Sequence, residues 1–281
     1  MDSTSILGME NVSSNETPIY VLFDVETVES PEKLTRDHLI RLASGTLGAI
    51  HIKKFGSAQE CAAVMRGLDT CPMGSYDEQI VVPRIPKLGP AAYDFYGAHG
   101  LVESYWREAA EAEGYRGVLL DGADPLTVAV DRLAGAWGDG GMRPASSGGR
   151  SMFAGMIRET TGGMKMHWDE IARELPGALD EPAIAQIGFN WYLSMPEAGG
   201  ATHIFRRRWL PGDESSREGY GYAEAIAEDE PRVVVRPESG DGVLFDPRNY
   251  HAVRGNDGPG RRVALSFFMG FTAAGHLQYW S

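Results

Sequence analysis

From Arg150 to the C-terminus the chain alternates short apolar runs with turn-forming punctuation, and no other feature narrows its fold as far. SMFAGMIRET, AIAQIGFNWYLSM, ATHIFRRRW, RVVVRP, GVLFDP, YHAVRG and RRVALSFFMGF each read as a strand, with Pro-Glu-Ala-Gly-Gly, Glu-Ser-Gly-Asp-Gly and Asn-Asp-Gly-Pro-Gly among the separators. Closely spaced short strands bounded by such turns predict a sandwich or a double-sheet jelly roll. One helical interruption is expected around SREGYGYAEAIAE, an insertion of the kind that covers a barrel mouth.

The first half reads differently. Residues 1–17 are polar and aperiodic, which predicts a mobile tail. IYVLFDVET, from Ile19, and LGAIHIKKF have the look of strands, whereas PEKLTRDHLIRLA, SAQECAAVMRGL, LVESYWREAAEAE and PLTVAVDRLAGAW have helical spacing. Asp124 and Pro125 stand at the cap and first turn of the last of these. The glycine-rich GDGGMRPASSGGR, Gly138 to Arg150, reads as a long loop and marks the change of character. The expected layout is therefore a tail (1–17), a helix-rich part packing on the core (18–149) and a jelly-roll core (150–281), in one integrated domain. In fold class it is mainly β with flanking helices.

Composition excludes more than it selects. A chain of 281 residues with 43% apolar content can bury one sizeable core. A formal charge of −13 argues against nucleic-acid and membrane-surface partners, which are themselves negative. The start lacks a signal-peptide pattern and no run reaches membrane-span length, so a cytoplasmic location is expected. Cys61 and Cys71 form neither CxxC nor a Cys/His cluster, which leaves a disulfide framework or thiolate zinc site without support.

Chemistry concentrates in MKMHWDE, Met164 to Glu170. If this segment ends a strand, the period of two places His167 and Asp169 on one face and Trp168 on the other. A facial-triad iron(II) site needs one more histidine and open positions for an organic co-substrate and dioxygen. His251, in DPRNYHAVRG, is the candidate; Arg262 follows eleven residues later and Ser266 four further on. Arg261 and Arg262 must face opposite sides of their strand, while Arg262 and Ser266 share one. In FNWYLSM, Asn190 and Tyr192 share a face that can line the cavity, with Trp191 packing in the core. The run Arg206, Arg207, Arg208 reads either as a solvated face or as contact for an anionic substrate.

These motifs resemble the iron(II)- and 2-oxoglutarate-dependent oxygenases, whose signature is His-x-Asp, a distal His and an Arg about ten residues beyond it. The resemblance covers Arg150 to the C-terminus. It implies His167, Asp169 and His251 as metal ligands and catalytic centre, Arg262 with Ser266 as the 2-oxoglutarate site, and Fe(II), 2-oxoglutarate and O2 as cofactors. PEAGGATHIFRRRW, the YHxV segment, the paired arginines and the terminal YWS look like carrier-independent aliphatic halogenases of the welwitindolinone type. Those enzymes have glycine where this chain has Asp169, and a carboxylate there fills the halide's place. The implied reaction is thus hydroxylation of an unactivated C–H bond of a small molecule, plausible in specialised metabolism, with succinate and CO2 as co-products. Desaturation, ring closure and halogenation remain alternatives, as does a jelly-roll protein that only binds a ligand.

Overall fold

The computed structural model describes residues 22–98, 100–138 and 141–281. The expected polar tail, the first residues of the strand expected from Ile19, His99 and part of the glycine-rich GDGG run lie outside the described residues.

In chain order the principal elements are β1 (Asp24–Val28), α1 (Arg36–Ala43), β2 (Leu47–Ile52), α2 (Ala58–Leu68), β3 (Pro86–Leu88), α3 (Glu103–Arg116) and α4 (Pro125–Trp137). There follow β4 (Met156–Glu159), β5 (Met164–His167), β6 (Ala183–Ser194), β7 (Thr202–Arg208), β8 (Arg232–Val235), β9 (Gly242–Phe245), β10 (Asn249–Val253), β11 (Val263–Thr272) and β12 (Leu277–Trp280). Shorter strands and single turns of helix lie between them.

The helices begin where local chemistry lets them begin. Ser57 and Glu60 form a reciprocal capping box at α2, and Asp124 accepts the Leu126 N–H at α4, with Pro125 in the first turn. Arg116, almost fully buried, donates to both Asp124 oxygens and to the Ala154 carbonyl, which ties α3 and α4 to the chain just before β4.

The strands form a jelly roll. The larger sheet runs β1-β2-β9-β6-β11-β4-β3, with β12 also paired to β11, and the smaller runs β5-β10-β7-β8. All six residues of β2 are buried, as its place between β1 and β9 requires. The larger sheet therefore draws strands from both sides of Arg150: the four helices precede residue 138, but so do β1, β2 and β3. On one face α1 and α2 pack over β2 and β6, and Trp191 is fully buried there with Phe55 and Phe189. Gly56 is obligatory at this contact, since a Cβ would sit 2.2 Å from the Trp191 ring.

Three readings of the sequence change. The stretch Gly138 to Arg150 is not one long loop: Met142–Pro144 pairs in parallel with β12, and Ser146–Ser147 folds back on Arg150–Ser151 around Gly148 and Gly149. The segment expected as a helical interruption consists of two 3-10 turns, Pro211–Ser216 and Glu224–Ala227, flanking a small hairpin at Arg217–Tyr222. Its glycines, at 219 and 221, favour a tight turn over a helix interior. The final residues, for which the sequence predicts no element, form a strand, β12, that follows a tight turn with Gly275 at φ +87°; it is held by β11 and by the Met142 strand.

A buried ionic cluster fixes β2 to the turn before β9. Asp241 accepts from His51 Nε2 (2.7 Å), Lys53 Nζ (3.0 Å) and the N–H groups of Lys54 and Glu238. Burial alone would raise its pKa, but these donors outweigh it and hold the carboxyl well below the usual range. A depressed folded pKa stabilises the protein above the unfolded value and ceases to do so as pH falls through the folded one. Asp241→Asn is accordingly expected to cost about 1–3 kcal/mol at pH 7. The gap from wild type should narrow below about pH 4 in urea titrations across pH.

Candidate metal centre

His167 and His251 face each other across the smaller sheet, paired in register on β5 and β10 with ring centroids 4.3 Å apart. The register shifts between Met164 and His167, so β5 spends three residues where β10 spends two. That bulge turns both Met164 and His167 toward the same cavity, which strict alternation would forbid. Each ring is locked by its own backbone. His167 Nδ1 lies 2.7 Å from the Lys165 carbonyl and His251 Nδ1 lies 3.0 Å from that of Asn249. A carbonyl only accepts, so each Nδ1 carries the proton and each Nε2 keeps its lone pair. Burial pushes the His251 pKa well below 6.5, with the neighbouring His167 adding to the effect, and the ring stays neutral as a metal ligand must.

Asp169 arrives by a different route from the one the sequence suggests. β5 ends at His167, and period-two alternation does not place the carboxylate. Instead the Asp169 N–H donates to the Pro247 carbonyl, and buried Gln186 clamps the turn by donating to the Asp169 carbonyl and accepting from the Ile171 N–H. Asp169 Oδ2 thereby stands 3.8 Å from His167 Nε2 and 3.6 Å from His251 Nε2. The candidate ligand atoms all lie within 4.8 Å of one another. Bonds of about 2.0–2.2 Å to one ion allow donors up to about 4.4 Å apart, so both Nε2–Oδ2 spacings suit a shared first-row metal. Two neutral nitrogens and one carboxylate on a single side of the ion form the set that leaves positions open for other ligands. Burial raises the Asp169 pKa against the pull of His167 and Arg158, which marks a carboxylate short of a positive partner. Gln186→Leu is expected to weaken iron binding about 10–100-fold without unfolding the protein. Competition against a chromophoric chelator measures this, and an unchanged affinity would remove the clamp from the account.

Behind the triad is a cavity of about 260 Å³ lined by both sheets. Arg262 lies at its dry end, almost fully buried. Its guanidinium donates to the Gly200 carbonyl (2.9 Å), Thr160 Oγ1 (2.6 Å), Thr202 Oγ1 (2.9 Å) and Tyr192 OH (3.3 Å). All are neutral acceptors, and burial lowers its pKa. Arg261 points outward to Glu159 and Asp69, which resolves the alternation between the two arginines. Ser266 shares the cavity face with Arg262 but donates to Asn190 Oδ1 at 2.6 Å. Asn190 and Tyr192 line the cavity while Trp191 is core. Arg207 is held by Asp213 and Glu230, and Arg208 by Asp246; the run 206–208 does not line the cavity.

Sequence reasoning missed Arg158, Thr160, Gln186 and Tyr76. Arg158 had a weak signal: it alternates with Met156 and Thr160 along SMFAGMIRET, and all three face the cavity. Tyr76 and Gln186 had none, because their roles depend on contacts across the fold.

A jelly roll carrying a His-x-Asp…His cluster with an unpaired buried arginine behind it is the architecture of non-haem iron oxygenases. No protein-family model matches the chain. It is 37% identical over 252 residues, 88% of its length and 93% of the relative's, to the L-γ-glutamyl-L-propargylglycine hydroxylase of Streptantibioticus cattleyicolor. It is also 27% identical over 138 residues to leucinostatins biosynthesis cluster protein S of Purpureocillium lilacinum, spanning 46% of this chain and 56% of that one. Among solved structures, an N-substituted L-amino acid dioxygenase of Burkholderia ambifaria in complex with 2-oxoglutarate superposes with a TM-score of 0.58 at 15% identity, over 87% and 90% of the two chains. The chain belongs to the Fe(II)/2-oxoglutarate-dependent oxygenases, and it is a hydroxylating dioxygenase that uses Fe(II), 2-oxoglutarate and O2. None of the relatives named here is described as a halogenase, and the narrower halogenase resemblance of the sequence is not supported.

Proposed function

We propose that this dioxygenase hydroxylates an unactivated C–H bond of a small amino-acid-type molecule in specialised metabolism, working in the cytoplasm with no membrane or nucleic-acid partner. His167, Asp169 and His251 hold the iron, and Arg262 binds the far carboxylate of 2-oxoglutarate. One observation carries the assignment: three metal-competent side chains share one cavity with a buried cation that has no carboxylate partner among the described residues. The substrate class follows the relative whose name specifies a γ-glutamyl amino acid.

Iron held by His167, Asp169 and His251 would supply, together with dioxygen and 2-oxoglutarate, the oxidising chemistry for hydroxylating an aliphatic carbon, with succinate and CO2 as co-products. The chain's own residues position and exclude. The Lys165 and Asn249 carbonyls keep both imidazoles in the metal-binding tautomer. Gly200, Thr160 and Thr202 hold three of the five Arg262 N–H groups, so a carboxylate that displaces the long 3.3 Å contact to Tyr192 meets one N–H on each terminal nitrogen of a preorganised fork. Ser266 and Asn190 finish that wall of the cavity as a neutral hydrogen-bonded pair. Asp169 favours hydroxylation over halogenation, because its carboxylate takes the place a halide would occupy.

Incubation with Fe(II), 2-oxoglutarate, O2 and a panel of γ-glutamyl and other N-acyl amino acids tests this reading. A product heavier by one oxygen atom, formed one-for-one with succinate, is the expected result. Chlorinated or desaturated product would redirect it, and succinate release that no panel member stimulates would refute the substrate class.

A further inference from the structure

Iron and 2-oxoglutarate leave one cation in the cavity unaccounted for. Arg158, half-buried on β4, lines the cavity opposite Ala264, which lies between Arg262, just before β11, and Ser266 on β11. Among the described residues it forms no ion pair and donates to no carboxylate; the Tyr76 phenol and, after it, the Asp169 carboxylate are close enough to favour its charge. The other charged groups around the cavity supply no counter-charge to it. Arg217 pairs with Glu214 at 3.1 Å and Asp94 with Lys87 at 3.3 Å, while the Glu174 carboxyl, which accepts the Glu170 N–H at 2.8 Å, has its pKa pushed up to about 8 by burial and the nearby Asp169 and is uncharged at neutral pH.

Charge balance shows what is missing. Under the function proposed above, the metal's two positive charges and that of Arg262 are met by Asp169 and the two carboxylates of 2-oxoglutarate. Arg158 is left over, and a guanidinium withdrawn from water without an anion is costly. A third carboxylate, held through two parallel hydrogen bonds, is the ligand that offsets this cost. The lining also includes apolar Ile80, Val81 and Ile85, on the segment that carries Tyr76 and leads into β3 beside Arg158. Ile80 is itself 55% exposed beside this mouth, an apolar surface that an aliphatic ligand would cover.

We infer that Arg158 anchors a carboxylate of the organic substrate, whose aliphatic portion lies against Ile80, Val81 and Ile85. The substrates are then carboxylic acids, and Arg158 sets their orientation at the iron. The inference rests on the proposed function and deepens it by naming the group that is recognised.

The test is an anaerobic binding experiment that needs no turnover. Wild type and Arg158→Gln, each loaded with Fe(II), are titrated with 2-oxoglutarate and then with L-γ-glutamyl-L-norvaline or either of its two mono-carboxamides, following the visible charge-transfer band. The inference predicts that wild type binds the diacid at least about tenfold more tightly than one of the carboxamides. In Arg158→Gln that preference should collapse to near one, with 2-oxoglutarate affinity within about threefold of wild type. Arg158→Lys should restore part of the preference, and the retained band reports that the variants are folded. The inference is overturned if the preference survives in Arg158→Gln, or if wild type prefers neither the acid nor its amides. A tenfold or greater loss of 2-oxoglutarate affinity would overturn it too, by assigning Arg158 to the co-substrate. Absence of the band in wild type would instead defeat the cofactor-site assignment, and this inference with it.

Discussion

Replacing Asp169 by alanine is expected to weaken iron binding by more than about 100-fold, beyond the range typical of residues that only support ligands, and to take turnover below detection. The fold should survive. The Asp169 side chain makes no hydrogen bond among the described residues, its nearest partners being the two histidine nitrogens at 3.6 and 3.8 Å. A half-buried carboxylate with raised pKa is a cost in the metal-free protein, so its removal should leave thermal stability unchanged or higher by about 1 kcal/mol. Iron affinity and metal-free melting temperature should thus move independently. A variant that binds iron normally, or that melts far below wild type when metal-free, would mean that the carboxylate serves the fold and not the metal.

Arg262→Ala should be nearly as damaging, by a different route. Hydrogen bonds to charged groups contribute about 1.5–3 kcal/mol each, so losing a two-point grip on a carboxylate is expected to raise the Kd for 2-oxoglutarate roughly 10²–10⁴-fold. Iron binding should be spared, because Arg262 is engaged by Thr160, Thr202, Tyr192 and Gly200 and touches none of the three candidate ligands. Thermal shift offers a second reading. A ligand at 100 times its Kd stabilises a protein by about 2.7 kcal/mol, and in the variant that gain should vanish at 2-oxoglutarate concentrations that saturate wild type. The opposite pattern, with iron lost and 2-oxoglutarate retained, would reverse the roles given to the two ends of the cavity.

The sequence exposes the parts of this site whose chemistry is rare. His167, Asp169, His251 and Arg262 stand out because two histidines, a carboxylate and a guanidinium recur in the order and spacing of a known signature, on segments whose alternation already suggests strands. The structure brings these four together around one cavity. What could not be read is whatever depends on pairing between distant segments. The bulge that aims His167 exists only in the register between β5 and β10. The turn that delivers Asp169 depends on Gln186, seventeen residues away on the neighbouring sheet. Arg158 looks like any polar residue in a strand until the face it shares with Arg262 is known. At the level of the fold, β12 is four residues long and its one turn signal is a single glycine, Gly275, and the Arg217–Tyr222 hairpin was hidden by residues of good helix propensity around it.

The measurement that reaches the central claim most directly is an anaerobic titration of the metal-free wild-type protein with Fe(II) and then with 2-oxoglutarate. The account predicts one iron per chain and a visible metal-to-ligand charge-transfer band that appears only when both are present. Iron bound weakly or not at all, or bound with no band on saturation with 2-oxoglutarate, would contradict the assignment of His167, Asp169, His251 and Arg262 to one working site.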